Sequence, residues 1–227
     1  MKVLGLDPSL TGYGWALHDT TATGPARCIA RGHHGTPASM VFVDRYVFMR
    51  ETLKALIQTH QPDKVGVESP PFGASYSEGM YGLFLYTNEA LREARCDVVY
   101  FTPPQVKAHA REFLKRPEHW DMKKPDMVAA AKADTATKKA WNHNDADAYM
   151  VAKLAGRFWC YQEGHLVDAD LTPVEYQYFA RTHTFTRGKR AGQTEKTGIV
   201  FREDDRFFRW SLLPPSGVNS VHSSTGG

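Results

Sequence analysis

The chain has 227 residues, room for one substantial domain or one domain with an appendage, and enough to bury a self-sufficient core. Hydrophobic residues make up 42% and charged residues 23%, ordinary globular values that exclude a disordered or fibrous chain, and a net charge of +3 is too small to name a partner. No apolar run approaches the roughly 18 residues that span a bilayer, and the opening MKVLGLDPSLTGYG turns to Asp and Pro too early for a signal peptide. Three cysteines, Cys28, Cys96 and Cys160, are odd in number and far apart, which fits neither a disulfide framework nor a Cys-based zinc site. The expectation is a soluble protein of a reducing compartment with no membrane partner.

The first hundred residues alternate strands and helices. Val3 to Leu6 is apolar on both faces, as a central strand is, and ends at Asp7-Pro8. Gly12 to His18 sets Tyr13, Trp15 and Leu17 on one face, a second strand joined by a short turn that favours an antiparallel hairpin. A third strand is expected over Cys28 to Gly32. From Val41 to Gln61, Phe42, Tyr46, Met49, Leu53 and Ile57 recur at steps of three and four, an amphipathic helix stopped by Pro62. Lys64 to Glu68 is another buried-type strand, closed by Pro70-Pro71. A helix is predicted from Glu78 to Arg95, a strand from Val98 to Phe101, and a short helix opened by Pro103-Pro104. Further helices are predicted from Lys124 to Ala140 and from about Asp145 to Trp159. Past Tyr161 the character changes. Thr182 to Thr186 and Gly198 to Trp210 read as two strands joined by the polar loop 187–196, and the Ser/Gly-rich end reads as a tail. The order implies an α/β fold with a mixed sheet flanked by helices, a domain over 1–160, an extension with a β-hairpin over 161–213, and a disordered tail over 214–227.

Carboxylates stand where the apolar strands run out. Asp7 follows the first strand, Glu68 ends the strand Val65 to Val67, and Asp147 lies near the start of the last long helix. Each alone is an ordinary turn former or cap. If the two strands are neighbours, Asp7 and Glu68 converge at one sheet edge, and a helix packed through Ala146, Met150 and Leu154 brings Asp147 to the same point. Gathered carboxylates repel unless a cation sits among them, and Mg²⁺ suits an all-oxygen site. Two such ions clamp the attacking water and the leaving oxygen of a phosphodiester displacement.

Leu4-Gly5-Leu6-Asp7-Pro8-Ser9-Leu10-Thr11-Gly12-Tyr13-Gly14 resembles the opening motif of the RuvC family of Holliday junction resolvases, within the ribonuclease-H-like superfamily. Val65-Gly66-Val67-Glu68 is similar to that family's second acidic strand, Pro104-Gln105-Val106-Lys107 to the segment leading into its DNA-contacting lysine, and Asn144-Asp145-Ala146-Asp147-Ala148 to its C-terminal acidic helix. The four motifs occur in family order over about residues 1–157. The resemblance implies a ribonuclease-H-like sheet and a homodimeric endodeoxyribonuclease that nicks branched DNA symmetrically, in a bacterial or phage-infected cytoplasm. It also implies two Mg²⁺ per site, with Mn²⁺ able to substitute. One departure stands out: where the family places an acid or a His three residues before the last acid, this chain has Asn144. On a helix, positions three or four apart share a face, so Asn144 and His143 point with Asp147. If the helix begins only at Asp145, that residue is an N-cap with freedom to turn inward. Asn144 and Asp145 are therefore equal candidates for a fourth ligand, and His143 for a base or phosphate contact.

Between Pro104 and Trp141, nine Lys or Arg face five Asp or Glu, an excess larger than that of the whole chain. Lys107, Arg111, Lys115, Lys123 and Lys124 are the candidates for a DNA backbone, with Lys107 and one of Lys123 or Lys124 nearest the scissile phosphate by resemblance. Phe72 and Tyr76, in a loop after Glu68, are candidates to stack on an unpaired base. Arg187, Lys189 and Arg190 cluster in the C-terminal loop as a further backbone contact. The competing readings are a nuclease of the same fold acting on an RNA–DNA hybrid or a fork, a DNA-binding module that no longer cuts, and an actin-like ATPase, which lacks its second phosphate loop here.

Overall fold

A computed structural model describes residues 1–70, 78–196, 201–204 and 207–212. Strands β1 (Lys2–Asp7), β2 (Tyr13–Asp19) and β3 (Cys28–His34) form an antiparallel meander, after which β4 (Lys64–Glu68) and β5 (Val98–Phe101) join parallel to β1, in the order β3-β2-β1-β4-β5. This is a mixed α/β sheet flanked by helices, as expected. Helices α1 (Phe42–His60) and α2 (Glu78–Glu93) cover one face, while α3 (Pro103–Phe113), α4 (Lys124–Thr135), α5 (His143–Gln162) and α6 (Pro173–Phe179) belong to the other. Alternation sorts the strand side chains. Leu4, Leu6, Leu17, Val65, Val67 and Val98 pack under α1 and α2, and Val3, Ala16, Val99 and Phe101 under α5.

Helix α5 lies unusually close to the sheet because glycine leaves room for it. A Cβ on Gly5 would sit 2.1 Å from the Ala148 carbonyl oxygen, one on Gly14 2.3 Å from the Asn144 carbonyl oxygen, and one on Gly66 2.5 Å from the Ala155 Cβ. The helix answers with its own small residues, Ala148, Ala152 and Ala155, and is buried almost without a break from Asp145 to Trp159. Behind it, Asp134 of α4 is a polar hub. It accepts hydrogen bonds from Tyr149 Oη (2.6 Å) and Lys153 Nζ (2.8 Å) of α5 and from Arg27 Nη1. With three donors held around one buried carboxylate, α4 is tied to α5 in a fixed position. Arg157 binds Glu175 through two nitrogens (2.9 and 2.8 Å), which ties α6 to the same helix.

Several elements differ from the sequence reading. The inward face of α1 is Arg45, Met49, Leu53 and Leu56, while Phe42 is 57% exposed. Arg45 can be buried because its guanidinium donates to the carbonyls of Ala38 and Met40 just before the helix. Helix α4 stops at Thr135 rather than Ala140, where Ala136 takes left-handed geometry (φ 49°). Helix α5 begins at His143, two residues before Asp145, because Asn142 caps it by accepting from the Asn144 N–H. Helix α6 carries no strong periodic signal of its own, yet Phe179 packs edge-on against Phe158 in the core. The strand at Thr182 also has a different partner: β6 (Thr182–Thr184) pairs with β7 (Thr194–Lys196) inside the expected loop. The later strand is two, β8 (Phe201–Asp204) and β9 (Phe207–Leu212), with β8 antiparallel to β5. The expected tail lies outside the described residues. Among those described, no helix is long and apolar enough to cross a membrane.

The glycine contacts give a direct test. Gly5→Ala drives a methyl into the Ala148 backbone, which no side-chain rotation relieves, and is expected to cost about 3 kcal/mol or more, the upper end of overpacking effects. Urea denaturation of the variant against the parent protein measures it.

Candidate active site

Register puts the strand-end acids on one rung of the sheet. Asp7 pairs with Gly14, which pairs with His33, and the parallel register Leu6–Val67 carries on to set Glu68 beside Asp7 and Phe101 beyond. His33, Gly14, Asp7 and Glu68 therefore all face α5, spaced by about 4.8 Å per strand. Parallel strands β1 and β4 both end here, the edge at which open α/β sheets bind ligands. Asp147 stands over this rung from the first turns of α5, and its carboxyl feels the same charges.

The three acids are linked electrostatically. Burial pushes the Asp7 carboxyl up to about 7, Asp147 adds to the rise, and Lys124 opposes it. Burial, then Asp7 and Asp147, hold Glu68 well above the carboxylate range against Lys107. Asp147 is raised to about 6 by burial, with Lys107 and Lys124 pulling it down. Among the described residues, none of the three closes an ion pair, and no three acidic, imidazole or thiol side chains are drawn tightly enough to grip an ion unaided. Carboxylates gathered at one sheet edge repel one another, and a cation among them would offset that repulsion. The donors are oxygens only, three carboxylates with the Asn144 amide beside them, which fits a hard divalent ion.

Asn144 and Asp145 part company. The Asn144 side chain lies against Gly12, where a Cβ would come 2.3 Å from its Nδ2, on the loop that follows Asp7. Asp145 turns away from the three acids. Its Oδ1 accepts from His33 Nδ1 at 2.9 Å, and its Oδ2 lies 3.6 Å from Arg31 Nε. Asp145, expected as a catalytic group and metal ligand, thus faces β3 in this structure, and with the helix already begun at His143 it lies about 200° around the axis from Asp147. His143 sits beside the cap, its Nδ1 accepting from the Asn144 N–H at 2.9 Å, with burial and then Lys124 pushing its imidazole pKa down. His33 lies one residue past the strand expected over Cys28 to Gly32, and Arg31, inside that strand, belongs to no motif in the sequence.

Two lysines flank the acids. Lys107 rides on α3, whose start is fixed by Thr102 donating its N–H to Gln105 Oε1 at 2.7 Å. Lys124 opens α4, where the Asp126 carboxylate accepts the Lys123 N–H at 2.9 Å. Lys123 is instead paired with Asp121 out in solvent. Arg111 lines a cavity of about 570 Å³ between α3 and α6 together with Arg116 and Tyr178, and Lys115 is exposed just past α3. Arg187 and Lys189 are exposed between β6 and β7, remote in sequence from the acids. The Arg190 side chain, Phe72 and Tyr76 lie outside the described residues.

This architecture is ribonuclease-H-like, a mixed sheet whose strand-end carboxylates meet an acid from a crossing helix. Comparison with known proteins finds similarity to RuvC resolvases. The chain is 32% identical over 116 residues to the crossover junction endodeoxyribonuclease RuvC of Renibacterium salmoninarum, covering 48% of this chain and 57% of that protein. It is 30% identical over 112 residues to RuvC of Chloroflexus aggregans, covering 47% and 66%. The matches thus span a little over half to about two thirds of those relatives. Among solved structures, Thermus thermophilus RuvC superposes with a TM-score of 0.57 at 19% identity, covering 72% of this chain and 97% of that one. The same protein in complex with Holliday junction substrate gives 0.56 at 17%. The chain matches no protein-family model. Sequence and fold agree on RuvC resolvases as its relatives.

The raised acids make the metal-free protein's stability depend on pH. Asp7 holds its proton up to about pH 7 in the folded state but only to about 4 when unfolded, so folding is favoured at low pH and this contribution is lost as pH rises through 7. Asp7→Asn is therefore expected to stabilise the metal-free protein at pH 8, by on the order of 1–4 kcal/mol, and to lose that advantage at pH 4. Urea denaturation with EDTA at the two pH values checks the sign.

Proposed function

We propose that the chain is a structure-selective endodeoxyribonuclease that resolves four-way DNA junctions by paired nicks, acting as a homodimer with two Mg²⁺ per site. The observation that carries it is the rung on which Asp7 and Glu68 stand together under Asp147, flanked by Lys107 and Lys124. Its likeness to proteins named as crossover junction endodeoxyribonucleases, one of them solved on a Holliday junction, supports the same substrate class. The oxygen-only donor set would hold Mg²⁺, or Mn²⁺ in its place, through Asp7, Glu68 and Asp147 with Asn144 as a neutral fourth donor. When bound, such ions supply Lewis-acid stabilisation to a phosphoryl group and lower the pKa of bound water.

The protein's own part is positioning. Lys107 approaches from the β5 side and Lys124 from the α4 side, so a phosphate brought to the acids meets positive charge from two directions. A dimer puts two such sites on one junction, and an exposed apolar face is available for it: Val43, Val47 and Phe48 on α1, with Leu85 on α2. Cytoplasmic DNA is the substrate that this reading requires. The second reading, a binding module that no longer cuts, is favoured by Asn144 replacing an acid and by Asp145 turning to β3.

The deciding experiment is incubation with labelled four-way junction, linear duplex and RNA–DNA hybrid, with and without Mg²⁺. Symmetric, metal-dependent nicks on the junction alone support the proposal. Tight junction binding with no cleavage in any divalent metal gives the second reading instead. Asp7→Asn and Glu68→Gln are each expected to reduce cleavage to background and leave junction binding intact. Lys107→Ala is expected to slow cleavage by about 10²-fold with affinity changed only about threefold, if the lysine meets charge that develops on the phosphate. Equal losses in rate and affinity would make it an ordinary backbone contact. Binding itself should fall steeply with salt as backbone counterions return.

A further inference from the structure

The first turn of α5 is held to the edge strand by a set of contacts that the chemistry proposed above does not use. Asp145 is only 12% exposed at its side chain, yet it carries two cationic or imidazole partners from β3. His33 donates from Nδ1 to Oδ1 at 2.9 Å, and Arg31 Nε lies 3.6 Å from Oδ2. Arg31 is itself fixed on two further sides: its guanidinium lies 3.6 Å over the Trp141 ring, and its Nη2 donates to the Ala140 carbonyl at 2.6 Å. The segment from Ala140 to Asp145, which leads into Asp147, is thus pinned to β3 at several points. His33 sits on the same rung as Asp7 and Glu68, two strands from Asp7 across Gly14 and three from Glu68.

That placement answers a physical problem of the site. Asp7, Glu68 and Asp147 repel one another, and Asp147 is the one carried by a helix, just past the first turn whose N–H groups lack intrahelical partners. Without restraint, the first turn of α5 would relieve the repulsion by swinging away from the sheet. We propose that Asp145, through Arg31 and His33, is a positioning residue that holds the first turn of α5 over the acid rung, so that Asp147 and Asn144 stand ready for a divalent ion. Asp145 touches neither the ion nor the DNA in this scheme. The inference rests on the metal-binding reading above, and its test is built so that each can fail alone.

The test is Mn²⁺ affinity of the full chain without DNA, read by electron paramagnetic resonance of the free ion. Wild type, Asp7→Asn, Asp145→Ala, Asp145→Asn, Arg31→Met and the double variant Arg31→Met/Asp145→Ala are compared, with melting temperatures recorded for each. Arg31 cannot ligate a metal, so its effect reports position alone. Arg31→Met and Asp145→Ala are each expected to weaken Mn²⁺ binding about 10-fold, in the range that outer residues of metal sites exert. The double variant should lose less than the product of the two single losses, because the Arg31–Asp145 contact is common to both. Asp145→Asn keeps a carbonyl acceptor for His33 and should fall between wild type and Asp145→Ala. If Arg31→Met fails to fold, Arg31→Lys, which keeps the charge and loses the fork, takes its place with a smaller loss expected.

An Arg31 variant that melts lower but binds Mn²⁺ as wild type does would overturn the proposal, since the contact would then serve stability only. Asp145→Asn matching the loss of Asp7→Asn would overturn it differently, by making Asp145 a ligand. Wild-type protein with no Asp7-dependent Mn²⁺ binding would sink the metal-binding reading itself, and with it the need for any such restraint.

Discussion

The close approach of one helix to one sheet governs everything else in this protein. Gly5, Gly14 and Gly66 give up their side chains on three neighbouring strands, and α5 lies down in the track they leave. A helix packed at ordinary distance would hold its carboxylate well above the strand-end acids. Here the backbone of Asn144 and Ala148 rests on the sheet itself, and Asp147 between them is brought down to the level of Asp7 and Glu68. The interaction is steric before it is electrostatic.

The electrostatic consequence is a site assembled against its own charge. Three half-buried carboxyls sit together with lysines near but not bonded to them, so each is pushed towards its protonated form. Such an arrangement survives only if the frame around it is stiff. That stiffness comes from polar anchors placed away from the acids: Asp134 with its three donors behind α5, Glu175 with Arg157 at its far end, and Asp145 with Arg31 and His33 at its start. Each anchor matches a carboxylate to cations, the reverse of what happens at the rung.

Much of this was legible in the residues, and the reasons are local. Asp7 and Glu68 stand out because each ends an apolar run too short to be anything but a buried strand. The mixed sheet follows from a hairpin succeeded by alternating helices and strands. The placement of Asp145 was not legible, because it turns on where α5 begins, and the capping Asn142 lies in a run of polar residues any of which can cap. The inward face of α1 was misjudged for a related reason: Arg45 counts as polar by type, but two carbonyls within reach satisfy it and let it turn in. Helix α6 is held by Phe179 and Glu175 meeting distant partners, and seven residues are too few to show a period. What composition and spacing miss here is satisfaction at long range.

The glycine track also shapes what evolution or a laboratory screen can do with this fold. At Gly5 and Gly14 the obstruction is a backbone oxygen of α5, which no substitution elsewhere can trim. At Gly66 it is the methyl of Ala155, with the next nearest atom 3.3 Å away. An alanine at position 66 therefore has a natural second-site suppressor, Ala155→Gly, while alanines at positions 5 and 14 have none within reach. Two of the three glycines are genetic dead ends, and the third can drift if its partner across the interface drifts with it.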